Sequence, residues 1–225
     1  MNGVDLLVEG LWAGVLLLWV IFIVQPVTRW SYRVMTGRGM THIKAVYYNR
    51  KIIHILAGGL AALLVPFLFS TPLYPIIVVI ILALATYLPR RQGKLMYWFQ
   101  TEDNMYEVHF IIMWGIVVVS SWFIFNGNWW YGVLPAVFMA FGDGVTGIVR
   151  NMMYNRRTKA WIGNLAMALV TIPIGYLVLG WIGGLAGLLA SIVEHFELKP
   201  IIDDNITVPL VSFLVILLGG ALPIG

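Results

Sequence analysis

The chain has no cysteine among its 225 residues, which excludes disulfides, thiolate metal ligands and a cysteine nucleophile. Charge is also scarce: 11% of residues are charged and 60% are apolar, with a mean hydropathy of +0.89. That is too little polar surface to cover a soluble globule, and the polar stretches are too short for a separate soluble domain. Three motifs are missing as well. A Gly-Lys-Ser/Thr loop, a His-Glu-x-x-His helix and a Ser-His-Asp arrangement are all absent, which leaves P-loop, zinc-hydrolase and serine-hydrolase chemistry without support. What remains is one integral membrane domain over residues 1–225, all-α, a polytopic transmembrane helix bundle of about seven to eight spans.

The apolar blocks place the spans. Leu6 to Val27 is the first, with only Asp5 and Glu9 before it and no basic leader, so it reads as a retained anchor. A basic loop holding Arg29, Arg33, Arg38, Lys44, Arg50 and Lys51 leads to a second span near Ile52 to Phe69. The third ends near Leu88, the fourth takes Val108 to Phe125, and the fifth runs from Trp129 to Arg150. Trp161 to His195 is too long for one crossing and is read as two, joined near Gly180 to Gly184. Thr207 to Ile224 is the last. The turns at 70–75, 126–128 and 180–184 carry no charge, while Lys and Arg fall in the alternate loops. The positive-inside rule then puts the basic loops in the cytoplasm and both termini outside. The net charge of +4 therefore reports topology and not a nucleic-acid partner.

Asp143, flanked as Gly142-Asp143-Gly144, lies in a stretch otherwise without formal charge, Trp129 to Ile148. A carboxylate at membrane depth costs several kcal/mol unless it faces protein, water or a cation, so it marks a functional site; the plain alternative is a cap on a broken helix. It lies about two turns before Arg150, within reach of a water-soluble ligand from the basic side. Arg50 and His54 share a helix face beside Lys51, either as a phosphate-binding group or as membrane anchoring with a packed histidine. Arg150, Arg156, Arg157 and Lys159 form a basic loop that suits polyphosphate or topogenesis. Asp203-Asp204-Asn205 offers oxygen ligands for Mg²⁺ at a helix mouth, or an N-cap, and Glu194 adds a carboxylate on the same side. His109 and His195 read as structural. Together these are the parts of a metal–nucleotide site at one face of a bundle.

Arg50-Lys51-Ile52-Ile53-His54 with Gly58-Gly59, then Gly142-Asp143-Gly144-Val145, Lys159 with Gly163-Asn164-Leu165-Ala166-Met167, Glu194, and Asp204-Asn205-Ile206-Thr207-Val208-Pro209-Leu210 follow one another in this order. In order and spacing they resemble the dolichol kinase and phytol kinase family, which is distantly akin to phosphatidate cytidylyltransferases. The resemblance runs from the second span to the last; its most specific part is Asp-Asn-x-Thr-Val-Pro-Leu. Gly147 departs from it, standing where the family often carries an acid or polar group. The resemblance implies CTP-dependent phosphorylation of a membrane polyisoprenoid alcohol (dolichol, phytol or geranylgeraniol type) with a divalent cation such as Mg²⁺. On that reading Asp143, Asp204, Asn205 and Glu194 hold metal, and Asp143, His54, Lys51 and Asp204 are catalytic. The nucleotide meets Arg50, Lys51, Arg150, Arg157, Lys159, Gly142 and Gly144. The expected partners are the lipid alcohol, the nucleoside triphosphate and the bilayer; a homo-oligomer is compatible with the sequence. A cytidylyltransferase making a CDP-lipid from a lipid phosphate is the nearest alternative, and a transporter using an intramembrane aspartate is the next.

Overall fold

Long runs of Leu, Val, Ile and aromatic residues become helices here because a chain in lipid must satisfy every backbone group within the segment. A computed structural model describes residues 3–154, 158–196 and 202–220 of the chain. These form an all-α bundle. Six continuous helical runs are long and apolar enough to cross a membrane: Asp5–Gly37, His42–Leu68, Leu73–Arg91, Tyr106–Ile124, Trp130–Tyr154 and Trp161–Val193. A shorter apolar helix follows at Asp204–Gly220.

The first run contains α1 (Gly3–Phe22), a π-helical turn at Ile23–Val27, and α2 (Thr28–Gly37). Pro26 lies in that turn, where it has no N–H to give and so widens the hydrogen-bond ladder. The helix survives it, so Arg29 and Arg33 stand on α2 and not in the loop expected from the sequence. The next run is α3 (His42–Ile53), a second π-turn at His54–Gly59, and α4 (Leu60–Leu68); here too the helix begins earlier than hydropathy suggested, because polar residues occupy its first turns. α5 (Leu73–Arg91) and α6 (Tyr106–Ile124) are unbroken. The fifth run is α7 (Trp130–Val137), a third π-turn at Phe138–Gly142, and α8 (Asp143–Tyr154).

α9 (Trp161–Val193) is a hairpin. Leu179 (φ −129°, ψ 22°) and Gly180 (φ 61°, ψ −146°) leave helical geometry, and Gly180 adopts a conformation almost confined to glycine. Asn164 Nδ2 donates to Ser191 O at 2.6 Å and Thr171 Oγ1 to Gly187 O at 2.9 Å. Nearer the bend Gly175 and Gly183 touch so closely that a Cβ on either would run into the other's carbonyl. The division expected near Gly180 to Gly184 is therefore present, with the bend at its N-terminal edge. α10 (Asp204–Gly220) begins three residues before the expected span. Asp203 starts it, accepting Asn205 N on Oδ1 at 2.9 Å and the Ile206 and Thr207 amides on its carbonyl.

The core surrounds the fifth run: 78% of its apolar window is buried, against 11% for α5. Phe138, Met139, Leu134 and Val133 are fully enclosed there. That central helix carries Asp143. At the opposite end from the basic groups, buried Glu9 of α1 accepts Ser70 N at 2.9 Å, Ser70 Oγ at 2.5 Å and Thr71 Oγ1 at 2.9 Å. Three donors fully occupy this intramembrane carboxylate, which makes it a tie between α1 and the 70–72 turn. Glu9→Leu leaves those donors unpartnered and is expected to lower stability by about 2–3 kcal/mol, seen as a lower melting midpoint in detergent with the polar site intact.

Candidate active site

Two of the three π-turns border the site, and their wider ladder leaves carbonyls to be satisfied from elsewhere. In the His54–Gly59 turn, Trp19 Nε1 of α1 donates to Leu56 O at 2.8 Å and Trp114 Nε1 of α6 to Gly58 O at 3.0 Å. This turn packs on the Phe138–Gly142 turn: a Cβ on Gly59 would lie 2.6 Å from the Phe141 ring. The contact brings Lys51 and His54, at the end of α3, onto Asp143, the first residue of α8.

Lys51 Nζ donates to Asp143 Oδ1 at 2.7 Å and Oδ2 at 2.6 Å. His54 Nδ1 stands 3.2 Å from Asp143 Oδ2, off the angle of a hydrogen bond, so Nδ1 is buried without one. Its ring stacks on Phe110 at 4.0 Å. Lys51, His54 and Asp143 are all buried. Gly147 is explained by Lys51: a Cβ there would sit 2.5 Å from Lys51 Cε and run into Tyr47 Oη. Glycine at this position makes room for the lysine stem.

A second acid–base group adjoins the first. Arg150 forks onto Glu194, Nη1 to Oε1 and Nη2 to Oε2, each at 2.8 Å. Nη2 also donates to Asn164 Oδ1 at 2.7 Å and Nε to Ala160 O at 2.9 Å. Gly163 lies under the arginine stem, where a Cβ would run into Nε. Lys159 Nζ bridges Glu194 Oε1 at 2.8 Å and Asp204 Oδ2 at 3.1 Å. Desolvation raises the Glu194 carboxyl above its ordinary range, with Lys159 drawing it back. One oxygen from each of Asp143, Glu194 and Asp204 lies within 4.8 Å of the other two. Tyr47, Tyr106, Thr158 and Asn205 complete the lining of this polar cleft.

The oxygen set suits a hard divalent cation. On one octahedral Mg²⁺, cis oxygens lie about 3 Å apart and trans oxygens about 4.2 Å, so the three carboxylates would draw together by up to about 2 Å on taking up the ion. Asn205 Oδ1 is buried in the cleft without a hydrogen-bond partner, a further oxygen ligand in waiting. Three carboxylates are interleaved with three cations, Lys51, Arg150 and Lys159. A bare cation would meet those positive groups, whereas a cation arriving with a polyphosphate gives each of them a new acceptor.

Of the residues expected from the sequence, Asp143, His54, Lys51, Asp204, Asn205, Glu194, Arg150 and Lys159 meet in one place. Arg50 reaches the rim, but its guanidinium holds the 92–105 loop, with Nε to Phe99 O at 2.8 Å and Nη2 to Thr101 Oγ1 at 2.9 Å. Gly142 and Gly144 do not line the cleft. Both are packing positions: a Cβ on Gly142 would lie 2.9 Å from Met167 and Thr171, and one on Gly144 2.8 Å from Ile55. Arg157 and Arg156 lie outside the described residues. Asp203, next to the cluster, caps α10 and pairs through Oδ2 with His109 Nδ1 at 2.7 Å. Burial pushes its carboxyl up to about 6, opposed by the His109 hydrogen bond. His195 stacks on Trp161 at 3.9 Å. Tyr47 and Asn164 are additions; Tyr47 is one turn before Lys51, and the Lys51 ammonium lies 5.1 Å over its ring.

Comparison with models of known protein families, with curated proteins and with solved structures finds no match.

Beside the polar cleft is a larger cavity of about 360 Å³, mostly apolar, between α1, the α3–α4 run, α5 and α6. Arg50 and His54 line both spaces. A polar, charge-rich cleft and an apolar cavity thus share one wall.

Proposed function

We propose that this protein transfers the γ-phosphoryl group of a nucleoside triphosphate, CTP on the resemblance, to the hydroxyl of a membrane polyisoprenoid alcohol. The observation that carries the reading is the interleaving of Asp143, Glu194 and Asp204 with Lys51, Arg150 and Lys159 in a buried cleft against an apolar cavity. Phosphoryl transfer needs positioning and charge neutralisation more than covalent help from the protein. The same parts would serve poorly for transport, because the acids gather at one end.

Asp143, Glu194 and Asp204, with Asn205 Oδ1, would hold Mg²⁺. Held there, the ion would supply charge neutralisation for the transferring phosphoryl group. Lys51 and Lys159 exchange a carboxylate for phosphate oxygen as the nucleotide enters, while Arg150, held by Glu194 and Asn164, keeps the Glu194 carboxylate in place. The lipid oxygen bonds to the γ phosphorus, the bond from phosphorus to the β–γ bridging oxygen breaks, and the nucleoside diphosphate leaves. With Nδ1 facing Asp143, His54 has Nε2 as its basic nitrogen, suited to take the hydroxyl proton. We further infer eight crossings, counting the arms of α9 separately and α10 as the last. The site then lies at the cytoplasmic end, where the arginine-rich helix ends gather.

The test uses purified protein, Mg²⁺, geranylgeraniol or a lipid phosphate, and CTP labelled at either the α or the γ phosphate. Label from the γ position in the lipid is the expected result. Label from the α position makes the protein a cytidylyltransferase, and no label in any lipid removes both chemistries.

A further inference from the structure

The 360 Å³ cavity has a shape and a polarity gradient that the polar cleft does not explain. Its wall on the α3–α4 run extends from Arg50 to Phe69, about 28 Å at 1.5 Å per helical residue. Spread over that length, the cavity is an elongated bore and not a round pocket, a shape that suits an extended apolar chain. Ala13, Val65 and Phe69 line one end; Arg50, His54 and Glu107 line the other. Two of its walls belong to the least buried runs: 11% of the α5 window and 22% of the α1 window are inside protein, and Ile21, a wall residue, is 45% exposed.

Glu107 supplies the second observation. It is buried, and its Oε1 accepts Gln100 Nε2 at 2.9 Å and Arg90 Nη1 at 3.3 Å. Its Oε2 is equally buried and has no partner. A satisfied carboxylate of the Glu9 kind needs no ligand; a half-satisfied one beside an apolar bore lacks a donor. A molecule with a long apolar body and a hydroxyl at one end would bring such a donor along the bore. Phe110, one turn along α6 from Glu107, stacks on His54, so the hydroxyl end faces the wall shared with the cleft.

We propose that this bore is the tail site of the lipid alcohol, with Glu107 Oε2 accepting a hydrogen bond from its hydroxyl and Ala61, part-way along, setting how far the chain can reach. The lipid enters sideways between α1 and α5, tail towards Phe69. Glu107 is a positioning residue. The inference rests on the lipid-alcohol reading for its ligand but not on the transfer chemistry.

The experiment needs no nucleotide. Full-length protein in lipid nanodiscs is photolabelled with geranylgeraniol carrying a diazirine at the end remote from the hydroxyl, and the labelled residues are mapped. Label is expected near Ala13, Val65 and Phe69; Ala61→Phe should move it towards the His54 end. Unlabelled geranylgeraniol should compete at least about tenfold better than its methyl ether, which has no hydroxyl proton to give. Glu107→Gln should abolish that preference. The amide oxygen keeps Gln100 and Arg90, while its NH₂ turns to the bore and donates equally to alcohol or ether. Label spread over the lipid-facing surfaces, or equal competition by alcohol and ether in the unmodified protein, overturns the proposal. Should Ala61→Phe fail to fold, the mapped label and Glu107→Gln still decide. Correct labelling without phosphoryl transfer sinks the kinase reading alone; transfer with no label in the bore sinks the tail site alone.

Discussion

Asp143→Asn is expected to reduce phosphoryl transfer by about 10³-fold or more, the upper end of what one electrostatic group contributes. Asn keeps the shape and loses the charge on which the site converges: Lys51 at 2.6 Å, His54 at 3.2 Å and the metal position shared with Glu194 and Asp204. It also leaves Lys51 as a buried ammonium facing a neutral amide where its carboxylate partner stood, a destabilising change in itself. Folding and chemistry are separated by a second variant, Asp143→Asn with Lys51→Met, which removes both charges. Its melting midpoint should return towards that of the unmodified protein, while its turnover stays at background. A single Asp143→Asn variant that turns over within about tenfold of the unmodified rate would exclude the residue from the chemistry, since metal ligation and charge stabilisation are each worth more than that.

The largest effect on stability is expected at Arg150. Its side chain is almost wholly enclosed and makes four hydrogen bonds, three of them to Glu194 and Asn164. Removing one partner of a buried ion pair typically costs about 3–5 kcal/mol. Arg150→Ala should fall near about 3 kcal/mol, the low end of that range, because Lys159 still stands 2.8 Å from Glu194. Arg150→Lys should not rescue it, since an ammonium cannot reproduce the fork that spans both carboxylate oxygens. Replacing the pair with Met at both positions should restore stability, since an apolar pair of similar volume avoids the desolvation cost, yet abolish activity through loss of the Glu194 oxygen. A melting midpoint for Arg150→Ala within about a degree of the unmodified protein would show that the fork carries little stability.

Charge in an apolar chain is rare enough to be legible. Asp143 was visible because nothing else near it in sequence was charged, and Lys51, Glu194, Asp204, Arg150 and Lys159 because charge is confined to the ends of the apolar spans; the structure brings all six to one cleft. Span boundaries were less legible, for a definite reason. Hydropathy reports where lipid ends, not where hydrogen-bonded helix ends, so the polar turns of α2 and α3 and the start of α10 were missed. Glu9 and Glu107 show another limit. Both are buried carboxylates near span ends, and only the tally of donors around each separates a structural tie from an open acceptor. The two glycines beside Asp143 were expected to meet the nucleotide on the family resemblance, but their bare faces meet Met167, Thr171 and Ile55, contacts between distant segments that spacing along the chain does not encode. Asn164 and Tyr47 carried no signal of charge at all.

The turn Phe138–Gly142 carries one residue more per hydrogen-bonded loop than the helix on either side. That extra residue is taken up within the turn, since five residues at the wider winding turn through about the same angle as four at ordinary winding. Deleting one residue of this segment would therefore let the helix relax to ordinary winding with Asp143 and Arg150 still facing Lys51 and Glu194. A deletion between Asp143 and Arg150 in α8 has no such slack and would rotate Arg150 by about 100° relative to Asp143. Single-residue deletions should accordingly be far better tolerated in Phe138–Gly142 than in the first two turns of α8, as retained assembly of the polar cleft would show.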